Sequence, residues 1–178
     1  MTPKGLLRLK GASSTLSDLA EGRFQPVLDD PAAQFERVTK LVITSGKLYY
    51  DIAGHELRSQ ARHVAVARLE QLYPFPVEAT ARLVASYPAL EEVVWAQEEP
   101  QNMGAWRPIR HRLEEALADG VPLRYAGRPW RARTRARRPR WRDCLRRCSS
   151  RSSCTSCSGS PSTRRSTPTV AVIRSRSS

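Results

Sequence analysis

From Lys40 to Tyr125, short runs of β-branched and aliphatic residues alternate with stretches whose apolar residues recur at helical spacing. No other feature restricts the fold as strongly, because strands alternating with helices build a parallel sheet flanked by helices. Lys40 to Thr44 is the first strand, and it runs through Ser45-Gly46-Lys47 into a helix carrying Leu48, Tyr49, Ile52 and Leu57 on one face. Val64 to Leu69 is the second strand. The extended Leu72-Tyr73-Pro74-Phe75-Pro76 follows it, since each residue before a proline is driven from the α region. A helix from Val77 to Ser86 leads to the third strand, Glu92 to Gln97, and then to Glu98-Glu99-Pro100-Gln101-Asn102. The next helix begins near Gly104, tolerates Pro108 in its first turn, and lines up Ile109, Leu113 and Leu117 until Gly120 ends it. Pro122 to Tyr125 is the last strand. Upstream, Ser14 is placed to cap a helix from Thr15 to Ala20, Arg23 to Leu28 reads as extended, and 29–40 reads as a loop.

The formal charge of +13 points to nucleic acid until the charge is located. Residues 1–127 hold 15 Lys and Arg against 16 Asp and Glu, a net of −1, whereas residues 128–178 hold 15 Arg against Asp143, a net of +14. The second part is Arg, Ser, Pro, Thr and Cys, without Lys, Glu, Phe or Tyr, and its few small apolar residues cannot offset the chain entropy of ordering it. One domain over 1–129 with a disordered Arg/Ser-rich tail over 130–178 is therefore expected. Apolar runs never exceed four residues, which excludes a transmembrane helix and a signal peptide's apolar region, so the expected location is cytoplasmic.

Catalytic signatures are missing. Neither GxGxxG nor GxxxxGK[ST] is present: Leu41 stands where a phosphate-binding loop needs glycine, and Leu48 where it needs a hydroxyl. His55, His63 and His111 lack metal-ligand spacing and read as surface histidines. The four cysteines, Cys144, Cys148, Cys154 and Cys157, all lie in the tail, and only the last pair has the spacing common in zinc sites, so no metal site is expected. What remains is geometric. A parallel sheet presents its carboxyl ends together, so Ser45, Gly46 and Lys47 should meet Arg68, Leu69 and Glu70 and also Gln97, Glu98 and Glu99 on one rim. Ser45-Gly46-Lys47 reads either as an anion site at a helix start or as a tight turn with a solvated lysine. Glu70, Gln97, Glu98 and Glu99 read as an interface or as plain solvated polarity. Trp130 and Trp141 among arginines form either an aromatic-interleaved patch for single strands or an accident of composition.

Several segments together carry a resemblance: Thr2-Pro3-Lys4 with Leu6-Leu7-Arg8, Ser45-Gly46-Lys47-Leu48-Tyr49-Tyr50-Asp51, Glu70-Gln71-Leu72-Tyr73-Pro74-Phe75-Pro76, Gln97-Glu98-Glu99-Pro100 with Asn102, Gly104, Ala105 and Trp106, and Arg124-Tyr125-Ala126-Gly127-Arg128-Pro129. In this order the chain resembles the C-terminal domain of the thiamine-diphosphate-dependent, decarboxylating first component of 2-oxoglutarate dehydrogenase. The resemblance implies a three-layer α/β/α sandwich of the transketolase C-terminal type, with a mostly parallel sheet. It implies a parent enzyme of the tricarboxylic acid cycle that uses thiamine diphosphate and magnesium to decarboxylate 2-oxoglutarate and pass the succinyl group to a lipoyl-bearing second component. The partners so implied are the upstream catalytic domains and a second copy in a homodimer, with no membrane, and with nucleic acid met only through the tail. No catalytic, cofactor-binding or metal residue of that enzyme falls in this chain, which reads as an inactive fragment starting inside the family's Met-Thr-Pro-Lys stretch. Some relatives carry an allosteric acetyl-CoA site, which the resemblance would put at the Ser45-Gly46-Lys47 rim. After Arg128-Pro129 the family continues with a closing helix, whereas here an arginine-rich stretch follows, of the kind an out-of-frame read of GC-rich DNA yields.

The competing readings are a basic-tailed nucleic-acid-binding protein and a free-standing acyl-CoA-binding regulatory module. Brief trypsin treatment is expected to leave a core ending between Arg124 and Arg133. A protected fragment reaching Arg164 would contradict the proposed division of the chain.

Overall fold

The computed structural model describes residues 4–117 and 120–130. In chain order its main elements are α1 (Leu16–Ala20), β1 (Val27–Leu28), β2 (Lys40–Thr44), α2 (Lys47–Ala53), β3 (Val64–Leu69), α3 (Val77–Ala85), β4 (Glu92–Pro100), α4 (Trp106–Ala116) and β5 (Leu123–Arg128). The strands form one sheet in the order β1-β3-β2-β4-β5, parallel throughout except for β1, which runs against β3. The chain steps from β2 through α2 to β3 on one side, then crosses back through α3 to β4 on the other side of β2. The winding thus reverses between β2 and β4, and a crevice opens at the carboxyl ends of these two strands.

Both faces of the sheet are covered. Leu41, Ile43, Ala65, Ala67, Val93 and Trp95 pack with Leu83 and Val84 of α3 and with Trp106, Ile109 and Leu113 of α4. The alternate residues Val42, Val64, Val66, Val94 and Ala96 pack with Leu48 and Ile52 of α2. This is why the central strands read as continuous apolar runs rather than as alternation. Each fully buried Leu or Ile among them, such as Leu41, Ile43 and Leu113, contributes about 2 kcal/mol. The layers are α2, sheet, and α3 with α4, which is the expected α/β/α sandwich.

The outer edge of β3 is finished by a side chain. Beyond the two-residue β1, the buried Asp30 carboxylate accepts the Val66 N–H at 2.9 Å and the Ala32 N–H at 3.0 Å, and it pairs with the Arg58 guanidinium. Arg58 in turn donates to the carbonyls of Ala61 and Val64 at 3.2 and 2.9 Å. Nearby, the Tyr87 hydroxyl donates to Asp29, and its ring stacks on Phe35 with centroids 5.3 Å apart. Burial and the Asp29 carboxylate push the Tyr87 hydroxyl well above the usual tyrosine range.

Several boundaries differ from expectation. Thr15, not Ser14, caps α1: its hydroxyl accepts the Asp18 N–H at 3.1 Å, while the Asp18 carboxylate accepts the Thr15 N–H at 3.0 Å, a reciprocal capping box. Leu57 does not share a helix with Leu48 and Ile52. Gly54 ends α2, and His55 starts a separate turn, Glu56–Ser59, by accepting the Leu57 N–H on Nδ1 at 3.2 Å. The stretch 29–40 holds a 3-10 turn at Phe35–Arg37 and the first residue of β2. β4 continues past Gln97 to Pro100, and β5 is longer than Pro122 to Tyr125 because Arg128 pairs with Pro100. α4 ends at Ala116, with Leu117 already extended; Gly120, expected to stop it, lies after residues outside the description. Apart from Trp130, the expected tail with its four cysteines and Trp141 also lies outside the described residues.

Candidate functional site

Thr44 stands level with Arg68 of β3 and Ala96 of β4, so the residues that follow them emerge at one end of the sheet. There the polar side chains divide between two recesses. A groove of about 970 Å³ is lined by Ser45, Gln97, Glu99, the Leu72–Phe75 segment and one flank of α4 with Pro108, His111 and Arg112. A smaller recess of about 340 Å³ is lined by Gly46, Tyr50 and Glu70, with Leu6 and Leu7 from the start of the chain.

At the smaller recess, Gly46 has φ +62° and carries the chain from β2 into α2, a conformation that disfavours any side chain. Lys47 Nζ lies 2.5 Å from Asp51 Oδ2, one turn on. This bond and the charges of Asp51 and Glu98 raise the lysine above its ordinary pKa against a small cost of burial. Arg68 sits beside both tyrosines of α2, its guanidinium carbon 4.8 Å from the Tyr49 ring centre and 5.2 Å from that of Tyr50. It also bonds the Tyr50 hydroxyl, and its Nε lies 2.6 Å from the Glu70 carboxylate. Lys47, Arg68 and Glu70 are thus each held by a neighbour of opposite or complementary character.

At the groove, Gln97 is buried and engages both ends of its amide. Oε1 accepts the Trp95 indole N–H at 2.9 Å and the Trp106 backbone N–H at 3.1 Å, while Nε2 donates to the carbonyls of Pro100 and Met103 at 3.2 and 2.8 Å. One side chain therefore joins β4, the loop 101–105 and the first turn of α4. Gly104, with φ +70°, allows that loop to close: a Cβ there would lie 3.1 Å from both Gln97 amide atoms. At the outer side, the Tyr125 hydroxyl lies 3.0 Å from the Glu99 carbonyl and 3.2 Å from the Arg128 carbonyl, and Arg128 Nε donates to the Glu98 carbonyl at 2.7 Å. Here β4 advances four residues, Ala96 to Pro100, against two in β5. Gly127 fits the irregularity, since a Cβ there would come within 2.3 Å of the Tyr125 hydroxyl. Burial, chiefly, lifts the Tyr125 hydroxyl to about 12, with Gln97 pulling it down and the Glu99 charge raising it.

The structure therefore gathers Ser45, Gln97 and Glu99 on the groove, with Gly46 and Glu70 on the second recess, whereas Lys47 and Glu98 line neither. Sequence reading missed Tyr125, Tyr49 and Tyr50, as well as the placement of His111 and Arg112. For the burial of Gln97, in contrast, two signals were available: Trp95 and Gln97, two apart on a strand, share a face, and a buried indole needs an acceptor. Among the described residues, no group of three or more His, Cys, Asp or Glu side chains is placed to hold a metal ion. Nor, among them, is any helix long and apolar enough to cross a membrane.

Winding that reverses beside a central strand, with polar side chains gathered at the carboxyl ends, defines a doubly wound α/β domain. A family profile, that of the 2-oxoglutarate dehydrogenase C-terminal region, matches residues 13–137. The chain belongs to this family. It is 48% identical over 130 residues to the 2-oxoglutarate dehydrogenase E1 component of Cupriavidus necator, covering 72% of this chain and 14% of that protein. Similar values, 46% over 132 residues, hold for the E1 components of Bacillus subtilis and Azotobacter vinelandii, again over 72% of this chain and 14% of each relative. The chain thus spans about 14% of the length of the curated relatives it matches.

Two outcomes are expected. Gln97→Leu strands the Trp95 and Trp106 N–H groups and several carbonyls, so it should lower stability by about 2–4 kcal/mol in urea unfolding. A loss below about 0.5 kcal/mol would show that these bonds are not made. For Tyr125, the hydroxyl ionises near 10 when unfolded and at about 12 when folded, so its contribution is full below pH 10 and is lost as pH rises toward 12. Tyr125→Phe should cost about 1 kcal/mol at neutral pH, and its deficit against the parent should shrink across that window. A deficit that stays constant would overturn this assignment.

Proposed function

We propose that this chain is the C-terminal domain portion of a thiamine-diphosphate-dependent first component of 2-oxoglutarate dehydrogenase, acting as a structural and interfacial unit. In that reading the whole enzyme decarboxylates 2-oxoglutarate oxidatively and passes the succinyl group to the lipoyl arm of its second component. The observation that carries it is the match to the named family across the folded body, at 48% identity with a protein of which the match covers 14%. Among the described residues, no group of three or more His, Cys, Asp or Glu side chains is placed to hold a magnesium ion. We assign the cofactor to the catalytic domains that precede this region in the relatives, and no chemical step to this chain.

The surface supports an interfacial role. Leu16, Leu19 and Phe24 are 86, 72 and 67% exposed, and Tyr73 is 93% exposed at the lip of the groove. Such side chains cluster where another domain or subunit is received. We assign Glu70, Gln97, Glu98 and Glu99 to this contact with the upstream domains and the second copy of the homodimer, Gln97 by fixing the loop and the glutamates as its polar margin. Ser45, Gly46 and Lys47 belong to the same margin. The Lys47–Asp51 pair supports that role, since it offsets the lysine's charge within its own helix. The setting we propose is cytoplasmic.

The test is reconstitution. The part of the Cupriavidus necator relative that precedes the matched region is produced separately and mixed with this chain, thiamine diphosphate and magnesium. Expected is co-elution in gel filtration and 2-oxoglutarate-dependent ferricyanide reduction that neither part gives alone, weakened by Tyr73→Asp. Failure to co-elute, or micromolar binding of thiamine diphosphate by this chain alone in calorimetry, would sink the assignment.

A further inference from the structure

Tyr73 is 93% exposed although the segment that carries it is held in place. The Gln71 amide donates to the Pro74 carbonyl at 2.7 Å, the Glu70 and Gln71 N–H groups bond the Pro26 carbonyl at 2.9 and 3.2 Å, and Phe75 packs against the core that α3 and α4 cover. The ring is thus presented by a fixed support, beside the groove of about 970 Å³ that it helps to line. An aromatic ring in water next to an apolar recess is a projection beside a hole. Charge on the same surface has a direction. Glu99 lies at the end of the groove where α4 starts, since a Cβ on Gly104 would stand 3.1 Å from the Glu99 Cβ, and Arg112 lies about 9 Å along the α4 axis from Trp106. Arg112 is paired with Glu115 at 2.9 Å, but both side chains are about half exposed, so that pair is weak and free to exchange.

We propose that the groove is filled by a second copy of this chain across a twofold axis, with Tyr73 of each copy in the groove of the other and Glu99 of each facing Arg112 of the other. The pairing rests on the interfacial reading above and names which of its partners occupies the groove. In a twofold contact one patch is both donor and receiver. It must therefore carry a projection and a recess, and acid and base at opposite ends, for both halves to match at once. This surface carries all four, whereas a foreign domain needs only the recess. Each Tyr73 would withdraw about 150–250 Å² from water. With Leu72, 39% exposed, that makes a contact at the small end of specific interfaces, so a reversible dimer is expected rather than a permanent one.

The full chain is followed by sedimentation equilibrium over a wide range of concentrations, and a reversible monomer–dimer equilibrium is expected. Tyr73→Asp should weaken it by about thirtyfold or more, as loss of a central aromatic anchor does, while Tyr73→Phe stays close to the parent. Charge reversal gives the sharper result. Arg112→Glu sets Glu99 against a glutamate and Glu99→Arg sets Arg112 against an arginine, each twice per dimer, so either variant alone should dimerise about tenfold or more less well. Mixed in equal amounts, the two variants should form a heterodimer of parental affinity, because both pairs are again acid against base. That recovery also shows that both variants fold. A chain that stays monomeric, or a mixture no tighter than its components, overturns the proposal. A monomer that still co-elutes with the upstream part of the Cupriavidus necator relative overturns it while leaving the interfacial reading in place; if neither association occurs, both fall. A dimer indifferent to Tyr73→Asp and to both reversals overturns it as well, and moves the contact to another surface such as the exposed Leu16 and Leu19.

Discussion

Burial of β2 and β4 on both faces is the constraint from which the rest of this structure follows. Leu41, Ile43, Val93 and Trp95 meet α3 and α4, while Val42, Val94 and Ala96 meet α2, so no position along these strands can carry a charge into the interior without a partner. Polar side chains are excluded from the strand bodies and collect at the ends. At the amino end, Lys40 and Arg124 share the Glu92 carboxylate, Arg124 Nε at 2.8 Å. At the carboxyl end stand the two recesses. The polarity of the rim is thus a by-product of covering a parallel sheet twice.

Gln97 marks the place where the apolar regime stops. Its amide terminates the Trp95 side of the core, anchors α4 and fastens the loop after Pro100. A neutral side chain that is both donor and acceptor is suited to that position: a carboxylate would face carbonyls, and an ammonium would face two N–H donors. The outer bonds of Tyr125 and Arg128 to the carbonyls of Glu98 and Glu99 then hold the adjacent glutamates at the margin. Closing the core and holding the margin are coupled at this point, because the same short segment does both.

How much of this was legible follows from the range over which each feature is decided. β2, β3 and β4 are visible because double-sided burial demands unbroken β-branched runs, and α4 because Ile109 and Leu113 recur at helical spacing. β1 is the last two residues of the stretch Arg23 to Leu28 that reads as extended, but its shortness and the bond from the Val66 N–H to Asp30, 36 positions away, are set by tertiary contact and leave no local pattern. Ser14 and Thr15 are equivalent as caps until Asp18 selects the one three positions before it. At the rim, the strand order brings Ser45, Gln97 and Glu99 to one groove, but the run Gln97-Glu98-Glu99 reads as solvent-facing, and the burial of Gln97 is hinted at only by its position two residues after Trp95. The role of Tyr125 depends on an irregular register between β4 and β5, which sequence does not encode locally.

The Asp30 carboxylate beyond β1 also decides which backbone groups of β3 remain open to another extended chain. By accepting the Val66 N–H where the two-residue β1 no longer reaches, it occupies a donor that such a chain would need. A carboxylate thus shields this part of β3 in place of the longer strand that would otherwise be required.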